Sequence, residues 1–177
     1  VDLSHTKKFV TWLNWLSRDY AKEVFTTNYD LVVEKALESL HIPYFDGFVG
    51  AYQPFFFPES LESKNTYDIP PVSWIRFWKL HGSINWFWKK NAKGKPNKVV
   101  RLGIESKKSN NENELVIYPS KEKYETSRKE PFIAYFDRLR TFLQDGEGIF
   151  VINGYSFSDE HINAVIIDSL KQNNRLH

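Results

Sequence analysis

The sequence predicts an α/β fold with a parallel core sheet, helices on both faces and a β-rich insertion. Three features point to it. Two segments read as strand, polar turn, helix: Val24-Phe25-Thr26-Thr27 leading into Asn28-Tyr29-Asp30, and Ile149-Phe150-Val151-Ile152 leading into residues 153–159. The second strand is wholly apolar, as expected where both faces of a parallel sheet are covered. Between the two, prolines at 43, 54, 58, 70, 71, 96 and 119 interrupt the chain, and helical periodicity gives way to short β-rich pieces. The expected organisation is one domain over residues 1–177, incomplete at both ends, with residues 43–129 as an inserted loop or β-rich subdomain.

The elements follow in order. Residues 4–20 carry Phe9, Leu13 and Leu16 at helical spacing, with Trp12 beside them. After the strand at Val24 a second helical pattern runs through Leu31, Ala36, Leu37 and Leu40. Strands are expected at 74–80, 84–88, 98–104 and 115–118, and the polar stretch 105–114 reads as a loop. Pro131 opens a helix through Phe132, Tyr135, Phe136, Leu139 and Phe142, closed by Gly146 and Gly148. A last helix carries Ile162, Val165, Ile166 and Leu170 on one stripe. No internal repeat is visible.

Composition narrows the function classes. The chain has 24 basic and 22 acidic residues, a net charge of +2, which is no concentrated footprint for nucleic acid. Lysines gather at 89, 90, 93 and 95 and at 107 and 108, among Asn, Gly and Ser, and read as solvated loops. The absence of cysteine excludes disulfides, Cys-ligated zinc, iron–sulfur clusters and thiol nucleophiles. No run of about 18 apolar residues and no signal-peptide pattern occurs, so the expectation is a soluble, cytoplasmic protein away from membranes. No pair of histidines has metal-ligand spacing, and no metal is expected. The lack of methionine, even at position 1, suggests an excerpt of something longer.

Chemistry should gather at the two strand-to-helix turns, because ligands of open parallel sheets collect at the carboxyl ends of strands. At the second turn Gly154 permits close backbone approach, and Ser156 and Ser158 offer hydroxyls to a phosphate. Equally, either serine could cap the helix, with Asp159 favourable in its first turn. The first turn groups Thr26, Thr27, Asn28 and Asp30, residues that also serve as ordinary helix caps. Between them lies Lys79-Leu80-His81-Gly82-Ser83. A histidine before glycine at a strand end suits a general base, and suits a structural turn as well. His161 sits in a helix's first turn and reads as structural.

Taken together these segments resemble a known family. Thr26-Thr27-Asn28-Tyr29-Asp30 is similar to the Thr-x-Asn-x-Asp motif of the sirtuin superfamily, and Lys79-Leu80-His81-Gly82-Ser83 to its His-Gly segment. Gly154-Tyr155-Ser156 stands where sirtuins have Gly-Thr-Ser. The longer strings resemble the SIR2-like NAD-hydrolysing domains of bacterial anti-phage defence proteins, which implies a Rossmann-like sheet. Two departures matter: the family's N-terminal Gly-Ala-Gly-x-Ser phosphate loop and the four zinc cysteines of deacylating sirtuins are both absent. The second argues against a deacylase and toward NAD⁺ hydrolysis.

By resemblance, Asn28 would hold the ribose and orient a water, His81 would accept a proton, and Asp30 would bind the nicotinamide carboxamide, so these three are the candidate catalytic residues. Thr26, Thr27, Gly154, Tyr155 and Ser156 would bind the rest of NAD⁺, the substrate. The resemblance also implies a homo-oligomer, activated through a sensor or effector domain or by a phage protein, that stops phage growth by emptying the cell of NAD⁺. The rival reading is a non-catalytic module that binds NAD⁺ or an ADP-ribose-type ligand within a larger defence protein. Pure binding would need neither Asn28 nor His81, which favours the enzyme.

Overall fold

A computed structural model describes residues 2–61, 70–90, 96–103, 113–116 and 130–177. The chain divides into two compact units, Val1–Ile133 and Ala134–His177.

The first unit is built on a three-stranded parallel sheet of order β1-β5-β2, formed by β1 (Lys22–Thr26), β2 (Tyr44–Phe45) and β5 (Ile75–Lys79). β5 is central and all five of its side chains are buried. Its two faces differ. Ile75 joins a core with Val10 and Leu13 of α1 (Ser4–Trp15), Ala36 and Leu37 of α2 (Val32–Ser39), and Ile42, with Val24, Val33 and Tyr44 packed against it. Fully burying one such aliphatic side chain contributes about 1.5–3 kcal/mol. On the opposite face Arg76 stands in register with Glu23 and pairs with it at 3.8 Å, while the Trp78 indole donates to the second Glu23 oxygen at 2.8 Å. The alternation of the strand therefore sets Ile75, Phe77 and Lys79 on the face under the helices and Arg76 and Trp78 on the other.

The expected face of the first helix shifts. In α1 the buried residues are Val10 and Leu13; Phe9, Trp12 and Leu16 are exposed, and Phe9 and Trp12 pack on each other at 6.1 Å. The helix stops at Trp15, short of Tyr20.

The region expected as an insertion, residues 43–129, supplies β2 and β5 to the parallel sheet as well as a second, antiparallel sheet. The latter has the order β3-β4-β7-β6-β8, from β3 (Phe48–Val49), β4 (Phe55–Phe56), β6 (Gly82–Lys90), β7 (Pro96–Arg101) and β8 (Asn113–Val116). Phe48 stacks with Phe56 at 5.7 Å and Trp86 at 5.0 Å, and Arg101 lies over the Phe48 ring. The Arg101 guanidinium is paired with Asp46, whose other carboxylate oxygen accepts the Phe48 N–H at 3.1 Å. The expected loop at 105–114 lies outside the described residues, apart from the two that begin β8. Lys93, Lys95, Lys107 and Lys108 also lie outside them.

The second unit holds α3 (Phe132–Gln144), which begins two residues before it, and α4 (Glu160–Gln172). Buried Phe132, Tyr135, Leu139 and Leu143 recur at helical spacing, as the pattern predicts. In α4 the buried stripe is Ile162, Ile166 and Ser169, and Leu170 is exposed. Among the described residues, the apolar run at residues 149–152 forms no strand ladder: the backbone of Gly148 and Phe150 pairs, parallel, with residues 175–177, and Ile149 and Val151 are 76% and 74% exposed. Phe150 rests on Phe142 at 6.2 Å, so one face is covered and the other is not. The expectation of a strand covered on both faces is corrected here.

Asp159 caps α4: its carboxylate accepts the His161 N–H at 3.1 Å and the Ile162 N–H at 3.3 Å. Asp159→Ala should lower stability by about 1 kcal/mol, read as a shift of the denaturant midpoint.

Candidate active site

Register places the first two motifs side by side. β1 and β5 are parallel neighbours whose last paired residues are Thr26 and Lys79. Asn28 and His81 therefore each lie two residues beyond the end of adjacent strands, at the carboxyl edge where ligands of such sheets collect. His81 occupies a link between the sheets. Lys79 ends β5 and Gly82 opens β6, so the two residues Leu80 and His81 carry the chain here from the parallel sheet into the antiparallel one, as Asp46 and Gly47 do between β2 and β3. Gly82 has φ +79°, a left-handed conformation that glycine adopts without strain.

The two turns are hydrogen-bonded to each other. Leu80 N–H donates to Thr26 O at 2.9 Å and Ile84 N–H to Tyr29 O at 3.0 Å. Beneath them, the Lys79 ammonium donates to Asp30 O, to Glu34 Oε1 at 2.6 Å and to Ser83 Oγ at 3.0 Å. Lys79 shares a face of β5 with Ile75 and Phe77, toward α2, which is why its partner Glu34 comes from that helix. Burial pushes the Lys79 ammonium below its ordinary range and the Glu34 carboxyl above its own, and their mutual attraction opposes both shifts.

Within the first turn, the Thr26 hydroxyl accepts the Asn28 N–H at 3.1 Å, which bends the chain out of the strand. Asn28 is exposed, and Thr27, Asp30 and His81 are half-buried. Asp30 Oδ1 accepts the Val32 N–H at 2.9 Å, so its carboxylate holds the start of α2. A cavity of about 690 Å³ is bounded by Leu31 before α2, Glu34 of α2, Tyr44, Asn85, Trp86 and Arg101 among others; neither Asn28 nor His81 lines it.

The third motif belongs to the second unit. Gly154 takes φ +65° and is exposed, with open space where a Cβ would stand. Ser156 and Ser158 place their hydroxyls 2.9 Å apart, both exposed, and neither caps the helix, a role taken by Asp159. The Tyr155 hydroxyl donates within reach of Asn163 Oδ1 at 3.0 Å and Asp159 O at 3.1 Å, and Asn163 Nδ2 donates to Phe157 O at 2.7 Å. These bonds fix the turn and leave the serine hydroxyls outward.

The residues that sequence reading missed are Lys79, Glu34 and Ser83. In the sequence Lys79 stands only as a flank of the His81-Gly82 segment, since its acceptors come from segments 45 and 49 residues away as well as from Ser83.

The SIR2-like domain model matches residues 22–177. The chain belongs to the SIR2-like family. A comparison with curated proteins finds no match. Family members are generally NAD-dependent enzymes that bind NAD⁺ as substrate, so an NAD-related function comes with membership. The match begins at the first residue of β1, and its span contains all three motifs of this SIR2-like domain. Among the described residues, no helix of the SIR2-like domain is long and apolar enough to cross a membrane. None of their His, Asp or Glu side chains group in threes to hold a metal ion.

Proposed function

We propose that this SIR2-like domain is an NAD⁺ glycohydrolase, converting NAD⁺ and water to nicotinamide, ADP-ribose and a proton. The observation that carries the reading is the register of β1 and β5, with Asn28 and His81 each two residues past the end of neighbouring strands. In the reaction the bond from ribose C1′ to the nicotinamide nitrogen breaks. Its electron pair returns to the pyridinium ring, and a water oxygen bonds to C1′. Asn28 holds the ribose and directs that water, and His81 takes the water's proton or one from a ribose hydroxyl. Asp30, with its carboxylate already engaged at the start of α2, contributes through the nicotinamide carboxamide. Thr26 and Thr27 shape the same turn.

Gly154, Tyr155 and Ser156 bind the phosphate and adenosine side. Ser156→Ala is expected to weaken NAD⁺ binding with a smaller effect on turnover at saturation, checked by separating KM from kcat. The biological setting follows the resemblance: a cytoplasmic homo-oligomer, switched on by a sensor or effector domain or a phage protein, that depletes NAD⁺ and aborts infection. Incubation in H₂¹⁸O tests the chemistry. One heavy oxygen in the ADP-ribose product is expected, and unlabelled product would exclude direct attack of water on C1′.

A further inference from the structure

We infer that Lys79 is a positioning residue: its buried ammonium clamps the Asn28 turn to the His81 turn and sets the mutual placement of the two candidate catalytic side chains. This rests on the NAD⁺-cleaving reading above. The pairing of β1 with β5 fixes backbone only as far as Thr26 and Lys79. Beyond that point the turns are free to separate unless something ties them. Backbone supplies two ties, Leu80 to Thr26 and Ile84 to Tyr29. The Lys79 ammonium adds side-chain ties to these. Its three donors meet three acceptors: Asp30 O on the first turn, Ser83 Oγ in the first residues of β6 just past the second, and Glu34 Oε1 as counter-charge. Ser83 is fully buried, and its hydroxyl in turn lies 3.5 Å from Tyr29 O.

An apolar side chain at this position would be cheaper to bury, because the Lys79 side chain is only 3% exposed and desolvating an ammonium is costly. The ammonium is instead spent on placement. Glu34 also neutralises it, which matters where the reaction develops positive charge on the ribosyl carbon.

The test uses the full-length protein carrying Lys79→Met, with Ser83→Ala as a milder variant that keeps the Lys79–Glu34 pair. Amide hydrogen exchange reads the clamp without any activity. The Ile84 amide should exchange about tenfold faster or more in Lys79→Met, while amides within β1 keep their protection. With NAD⁺, kcat should fall on the order of 10–10²-fold and KM should stay within about threefold. Ser83→Ala should move both in the same direction by less. Unchanged Ile84 exchange in both variants would overturn the inference. So would collapse of β1 protection in Lys79→Met alongside a wild-type Ser83→Ala, which would make the lysine a general core support. If the wild-type protein leaves NAD⁺ intact, the reading of the reaction fails, and the exchange measurement alone decides the clamp.

Discussion

Asn28→Ala and His81→Ala are each expected to cut NAD⁺ turnover by about 10²-fold or more, with a much smaller loss of NAD⁺ affinity. That scale is usual for removing one positioned acid–base or electrostatic group. Affinity should survive because phosphates and adenine supply most ground-state contacts and neither is assigned to this pair. Both residues lie in turns after the strands, with Asn28 exposed and His81 half-buried, so their loss should leave the core of Val10, Leu37 and Ile75 intact. His161→Ala is the control. Its backbone is held by the Asp159 cap in the first turn of α4, and it should affect stability before rate. Steady-state kinetics with circular dichroism on the three variants checks this. A near-wild-type rate for His81→Ala beside a dead His161→Ala would identify the wrong histidine.

The largest stability effect is expected at Arg101. Burial already holds the Asp46 carboxyl above its ordinary range, and the Arg101 guanidinium is the main opposing influence. Arg101→Met removes that influence and raises the folded-state pKa further. A carboxyl raised in the folded state stabilises when protonated. That contribution is complete below the unfolded value near 3.8 and is lost as pH rises through the folded value. The variant should therefore be weaker than wild type by about 3 kcal/mol at pH 7, with the gap narrowing as pH falls toward 4. The lower end of the usual range applies because the Arg101 side chain is 26% exposed. Urea midpoints of both proteins across this pH range measure the effect. A gap independent of pH would show that Asp46 is not the group left behind.

Local signals made much of this fold legible. Val24-Phe25-Thr26 and the run before His81 became neighbouring parallel strands, and α3 buries the periodic residues Tyr135 and Leu139. Where the sequence misled, the missing information was non-local. Residues 149–152 have the composition of a strand covered on both faces, but burial depends on neighbours that composition does not name. On α1, Val10 faces inward where Phe9 was expected because α2, Ile42 and Ile75 define the inner side. At the site, the residue types of the two turns were readable. Their adjacency was not, since it is fixed by the pairing of Thr26 with Lys79 across more than fifty residues. The Lys79–Glu34 pair was hidden for the same reason: a lysine and a glutamate far apart in sequence look like surface charges until one sheet and one helix bury them.

The most direct measurement is chromatography of NAD⁺ over time with the activated full-length protein, with NAD⁺ binding measured in parallel. The proposed function predicts that nicotinamide and ADP-ribose appear in equal amounts as NAD⁺ disappears. NAD⁺ that binds and stays intact through long incubation would contradict it, and would leave a domain that binds the nucleotide without cleaving it.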